Sequence, residues 1–158
     1  MVDLEGLAHG ADIVAALNAM LDGWNKQMGL RFVKAEPSEI VAELDIDGRH
    51  HQPYGLVHGG VYASMIETVT SVGAALDAMK RGYAAVGLDN STSFLHAARG
   101  GTLRATARPL STGKRTQLWE ATVTDGEGRT LASGRVRLLC LEPGAKAGGE
   151  TVAIRSSG

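Results

Sequence analysis

The chain has 158 residues, 16 of them Lys or Arg and 17 Asp or Glu, for a formal net charge of −1. That length suits one domain around one core, and the charge balance argues against nucleic acid as a partner, because phosphate backbones call for a basic surplus. A single cysteine, Cys140, excludes an intrachain disulfide and a cysteine-built zinc site.

The opening residues, Met1-Val2-Asp3-Leu4-Glu5, are acidic and do not read as a signal peptide. Residues 12–24 then place Ile13, Leu17, Leu21 and Trp24 on one helical stripe. Two strands are expected next, over 30–34 and 39–47, with Pro37-Ser38 as the turn. In the second, Ile40, Ala42, Leu44 and Ile46 alternate with Val41, Glu43, Asp45 and Asp47. From Val57 to about Lys80 the spacing of Val61, Met65, Val69, Val72, Leu76 and Met79 predicts one long helix. Strand patterns follow over 83–95, 103–108, 116–125 and 130–141, with Asp125-Gly126-Glu127-Gly128-Arg129 as a hairpin turn. The last residues, 144–158, are small and polar and read as a flexible tail.

Runs of consecutive strands favour an antiparallel sheet of five or six strands in an α+β layout, not alternating βαβ units. The expected division is an N-terminal helical segment (1–27), one sheet-and-helix domain (28–142) and a tail (143–158). Between Gln52 and Leu76, Glu67 is the only charged residue, so the long helix should be wrapped by sheet and neighbours. That composition also excludes a membrane span, and a cytoplasmic protein is expected.

His58-Gly59-Gly60 opens the long helix. A helix N-terminus offers unpaired N–H groups and positive potential, suited to a carbonyl oxygen that becomes an oxyanion. Glycine there allows close approach, and Gly55, Gly59, Gly60 and Gly73 all fall on or beside this helix. Gln52 and His58 can add side-chain hydrogen bonds at the same mouth. Glu67 stands in uncharged surroundings with Ser71 one turn on; a carboxylate there must be hydrogen-bonded or used. Gly59 and Glu67 are separated by about 12 Å along the axis at 1.5 Å per residue, so one small reacting group cannot touch both on one helix. If both serve one centre, Glu67 comes from a second, antiparallel copy, and the site predicts a homodimer.

The string Gln52-Pro53-Tyr54-Gly55-Leu56-Val57-His58-Gly59-Gly60, with Glu67 and Ser71, resembles the hotdog-fold acyl-CoA thioesterases of the PaaI type. It is most similar to the glutamate-dependent 4-hydroxybenzoyl-CoA and 1,4-dihydroxy-2-naphthoyl-CoA thioesterases. The likeness runs on through Val86-Gly87-Leu88, Arg108-Pro109-Leu110, Gly113-Lys114-Arg115-Thr116-Gln117-Leu118-Trp119 and the hairpin turn at 125–129.

This resemblance implies a sheet wrapped around the long helix and hydrolysis of a thioester. The Gly59 N–H would polarise the carbonyl with Gln52 assisting, and Gly60 would line the approach. Glu67 of the partner subunit would act as nucleophile or general base, Ser71 would orient it or the water, and His58 would sit near the departing thiolate. Gly113, Lys114, Arg115 and Thr116 would meet the CoA nucleotide. No metal or redox cofactor is implied; CoA enters only as part of the substrate. The family's usual state is a tetramer. An aromatic acyl group is favoured over a medium-chain fatty acyl group, although Ser93-Phe94-Leu95-His96 departs from the naphthoyl-CoA members.

Three other readings fit the sequence less well. A non-catalytic acyl-CoA-binding module has no use for Glu67 beside the thioester. His58-Gly59-Gly60 is also found in α/β-hydrolases, but the chain has no G-x-S-x-G elbow. His50-His51 lacks partners at ligand spacing and reads as a surface pair.

Overall fold

The computed structural model describes residues 10–153. Residues 1–9 of the expected N-terminal segment and 154–158 of the expected tail lie outside the described residues. Six strands form one antiparallel sheet in the order β1-β2-β4-β5-β6-β3. They are β1 (Arg31–Glu36), β2 (Glu39–Asp45), β3 (Ala84–Phe94), β4 (Thr102–Thr112), β5 (Thr116–Thr124) and β6 (Thr130–Leu141). The helix α3 (Gly59–Met79) lies against β2, β4, β5, β6 and β3. The layout is the expected α+β arrangement, the hotdog fold, with its long helix and a helical N-terminal segment.

Cross-strand pairs explain how the helix comes so close. Ile40 pairs with Ala107, Ala42 with Ala105 and Leu44 with Leu103, and all six are fully buried. The alanines keep this part of the sheet low. Trp119, also fully buried, needs more room, and Gly73 supplies it: a Cβ there would collide with the indole ring. Glycine within a helix costs about 1 kcal/mol relative to alanine, a modest loss against burying a tryptophan ring. Gly73 therefore serves the chain's own sheet and not, as its position suggested, a ligand or a second helix.

Two further expectations are corrected. The stripe over 12–24 is broken into α1 (Gly10–Ala19) and α2 (Gly23–Met28). Asp22 caps α2 by accepting from the Gly23 N–H, and Gly23 takes φ +52, which glycine tolerates. Trp24 consequently leaves the stripe and is exposed. On α3, Val61, Met65 and Val69 are buried as expected, but beyond them the buried set turns to Thr70, Gly73, Ala74 and Ala78. Leu76 and Met79 instead line a cavity of about 520 Å³ with Ile13, Ala35 and Pro37. After β6, Lys146–Ala147 (β7) and Glu150–Thr151 (β8) form a small hairpin.

Candidate active site

The segment before α3 doubles back on itself. The His58 N–H donates to the His50 carbonyl, the Gln52 N–H to the Leu56 carbonyl, and the Val57 N–H to the Ala98 carbonyl. His50 anchors this loop from below. It is 3% exposed, its Nδ1 accepts from the Asp47 N–H at 2.9 Å, and its Nε2 lies 2.7 Å from the Met28 carbonyl oxygen. The surface pair read from His50-His51 is thus wrong for His50, because two backbone partners on different elements hold its ring inside.

His58 is the N-cap of α3, its Nδ1 accepting from the Gly60 N–H at 2.8 Å. The Val61 N–H donates to the His58 carbonyl. Of the first three amides of the helix, only that of Gly59 is left without an acceptor among the described residues. A helix end with a free N–H and positive potential is a place for a developing oxyanion. Gln52 lies in the same folded-back loop, its Oε1 accepting from the Tyr54 N–H.

Two glycines are needed here for reasons of space. A Cβ on Gly60 would come 2.9 Å from His58 Nδ1, and one on Gly59 would come 2.9 Å from the Phe94 ring. Phe94 covers this corner and packs on Tyr62, with ring centroids 6.1 Å apart. Burial pushes the Tyr62 hydroxyl above its ordinary range.

Glu67 stands on a different stretch of α3, on a half-exposed stripe with Ala63, Ser64, Ser71 and Ala75. Its carboxylate is held from two sides. Ser71 Oγ donates to Oε1 at 3.1 Å, and Asn90 Nδ2 of β3 donates to Oε2 at 2.9 Å. The expected Glu67–Ser71 pair is therefore present. Asn90 is an addition that sequence reasoning missed, and no local signal points to it: it is 23 residues from Glu67 and is brought there by β3.

The loop Gly113-Lys114-Arg115-Thr116 is the β4–β5 turn. A Cβ at Gly113 would come 2.7 Å from the Thr116 carbonyl oxygen, and the Cys140 N–H donates to the Arg115 carbonyl. Lys114 and Arg115 are exposed. The next residue, Gln117, donates to the Ala74 carbonyl, which places the turn beside the C-terminal half of α3. The structure thus groups His58, Gly59, Gly60 and Gln52 at one end of the helix and Glu67 with Ser71 in its middle, and sets the 113–116 turn farther along. The 520 Å³ cavity contains none of these residues. Among the described residues no helix is long and apolar enough to cross a membrane.

Comparison with known proteins gives consistent matches. The family model described as the thioesterase superfamily matches residues 54–132. A relative from Mycobacterium tuberculosis, whose name assigns it no substrate, is 39% identical over 83% of this chain and 94% of its own. The 1,4-dihydroxy-2-naphthoyl-CoA hydrolase of Escherichia coli is 33% identical, covering 80% of this chain and 93% of that one. A solved thioesterase from Haemophilus influenzae superposes with a TM-score of 0.78 at 27% identity, over 82% of this chain and 90% of that one.

Proposed function

The chain belongs to the thioesterase superfamily and is a thioester hydrolase, and from that premise we propose that it hydrolyses acyl-CoA thioesters, with Glu67 as the acting carboxylate and the Gly59 N–H as the oxyanion donor. The observation that carries this reading is the state of Glu67. It is hydrogen-bonded at both oxygens, by Ser71 and Asn90, on a helix face that its own sheet leaves open. Such a carboxylate is positioned rather than merely accommodated. It attacks the thioester carbonyl itself or takes the proton of an attacking water. In either case the C–S bond breaks, the water oxygen ends in the free acid, and CoA departs as a thiolate that takes up a proton.

The site is shared between two copies. Gly59 and Glu67 lie about 12 Å apart along one helix at 1.5 Å per residue, and a two-fold axis near Ala63 would set each Gly59 beside Glu67 of the partner subunit. The open stripe on α3 and the long free edge of β3 are the surfaces such a dimer would cover. The 113–116 turn supports this pairing. Ala74, which anchors it through Gln117, is about 10 Å from Glu67 along α3 but more than 20 Å from its own Gly59. Lys114 and Arg115 would then meet the CoA phosphates of the site built around their own Glu67. Gln52 and His58 belong to the Gly59 side, and assembly of two such dimers gives a tetramer.

A ring-bearing acyl group is favoured, on two grounds. The Escherichia coli relative is named for a naphthoyl-CoA, and in this chain Phe94, backed by the buried Tyr62 ring, lies against Gly59. Glu67→Gln should lower kcat on benzoyl-CoA or hexanoyl-CoA by at least about 10²-fold, read as thiol release with a chromogenic disulfide, while the assembly stays intact. Unchanged kcat in that variant would remove Glu67 from the chemistry.

A further inference from the structure

We propose that Asn90 and Thr92 form a positioning relay on β3 that fixes the Glu67 carboxylate. The inference rests on the catalytic reading of Glu67 and adds two residues to it. A glutamate side chain ends in a broad, roughly two-fold torsion, so one hydrogen bond from Ser71 leaves the carboxylate free to swing. The Asn90 amide removes that freedom. Its Nδ2 donates to Glu67 Oε2 at 2.9 Å and to the Ala63 carbonyl at 3.2 Å.

Both bonds depend on which way the amide faces, and Thr92 braces it. Thr92 Oγ1 donates to Asn90 Oδ1 at 2.6 Å. Flipping the amide would set Oδ1 against two acceptors, Glu67 Oε2 and the Ala63 carbonyl, and would turn Nδ2 toward the threonine. The two acceptors thus select the orientation in which the NH2 group meets the carboxylate, and the Thr92 hydroxyl, donating to Oδ1, holds the amide there.

The surrounding backbone is shaped around this chain of contacts. Gly87 pairs with Leu138, Asp89 with Arg137 and Asn90 with Val136, so Leu88 is an extra residue in β3. Side chains alternate faces along a strand, and without the bulge Gly87 and Asn90 would point to opposite sides. The bulge brings both to the face of α3. There a Cβ on Gly87 would come 2.5 Å from Glu67 Oε1, so glycine leaves the carboxylate room in this position. Across the sheet, a Cβ on Gly134 would come 2.7 Å from Thr92 Oγ1. Glycine weakens a strand and marks a close approach; here two strands each carry one where the relay passes.

The relay acts through Glu67, so its loss should appear in kcat and not in KM. Using whichever of benzoyl-CoA and hexanoyl-CoA is cleaved faster, Asn90→Leu should lower kcat about 10-fold or more with KM within about 2-fold. Thr92→Val should lower kcat by about 3- to 10-fold, and Thr92→Ser, which keeps the hydroxyl, should restore it. In a Glu67→Gln background Asn90→Leu should add nothing, because the group it positions is gone.

Full kcat in Asn90→Leu overturns the relay, as does a loss that multiplies with that of Glu67→Gln. If Asn90→Leu does not assemble, the Thr92 pair decides: equal kcat in Thr92→Val and Thr92→Ser overturns the proposal. Full kcat in Glu67→Gln would instead bring down the catalytic reading itself, a result distinct from either.

Discussion

At the β1 edge of the sheet, Asn18 of α1 takes both free backbone groups of Phe32, donating to its carbonyl at 2.9 Å and accepting from its N–H at 2.8 Å. A side-chain amide thus does what a neighbouring strand would do. The strand is short, it is bulged between Phe32 and Lys34, and charged pairs flank it: Arg31 with Glu43 and Asp45, Lys34 with Glu36 and Glu39. At the opposite edge β3 runs for 11 residues, with Leu88 and Phe94 more than half exposed. Charges, bulges and covering elements are the ordinary ways of closing an edge. The chain applies all three to β1, whereas β3 has only the bulge at Leu88 and the Asp89–Arg137 pair and stays long and uncovered within the chain, with the Glu67 face beside it. One edge is finished within the chain; the other is where a second copy is proposed to complete both the sheet and the site.

The comparison can be broken most severely at β3. Ser91→Lys combined with Ser93→Lys would set like charges on an edge that meets its own copy, which opposes strand pairing. The expected result is a folded monomer by analytical ultracentrifugation, with kcat/KM lowered by more than about 10²-fold because each chain keeps half a site. An active monomer would sink the shared-site reading.

Asn18→Ala should act at the other edge only. It leaves the amide and carbonyl of Phe32 without their partner, a loss of about 1–3 kcal/mol in unfolding free energy. Chemical denaturation should show it, while kcat per site and the state of assembly stay unchanged. A variant that lost assembly would mean that the two edges are coupled.

The smallest effect is that of acid, and it should fall mainly on the β1 side, although Asp125 in the β5–β6 turn is also held below its usual range by hydrogen bonds from the Arg129 and Glu127 amides. Hydrogen bonds from the Arg49 side chain and its N–H hold Asp47 down at about 2. Thr102 and Arg31 lower Asp45, and Lys34 and Arg108 lower Glu39. A carboxylate whose folded value is depressed contributes stability at neutral pH, and that contribution fades as pH falls from its unfolded value toward the folded one. Stability should therefore decline between about pH 4 and pH 2, and Asp47→Asn should flatten the decline. Asp45 and Asp47 are exposed, so high salt should weaken their part of the effect more than that of the partly covered Glu39.

Much of this molecule was legible in one dimension. Alternation predicted β2 and the strands after α3, the apolar stripe predicted the long helix, and turn residues marked 125–129. The spacing from Gln52 through His58-Gly59 to Glu67 and Ser71 marked the candidate site, and the Glu67–Ser71 pair was legible because a helix fixes which residues share a face. Reading failed where a local pattern ran across a break. The stripe through Ile13, Leu17, Leu21 and Trp24 hid the stop at Asp22-Gly23, although that pair is itself a turn signal.

Other features had no local signature at all. Gly73 looked like part of the site because nothing nearby in the chain announces Trp119, 46 positions on. Asn90 reaches Glu67 only because one extra residue at Leu88 reverses which side chains of β3 face the helix. His50 looked exposed until Met28 and Asp47 closed on it. The sequence by itself determined periodic things: the elements, their faces, and the residue types at the helix mouth. The tertiary structure decided what meets across elements, since a contact between distant segments depends on strand register, and a one-residue shift in register exchanges the two faces of a strand.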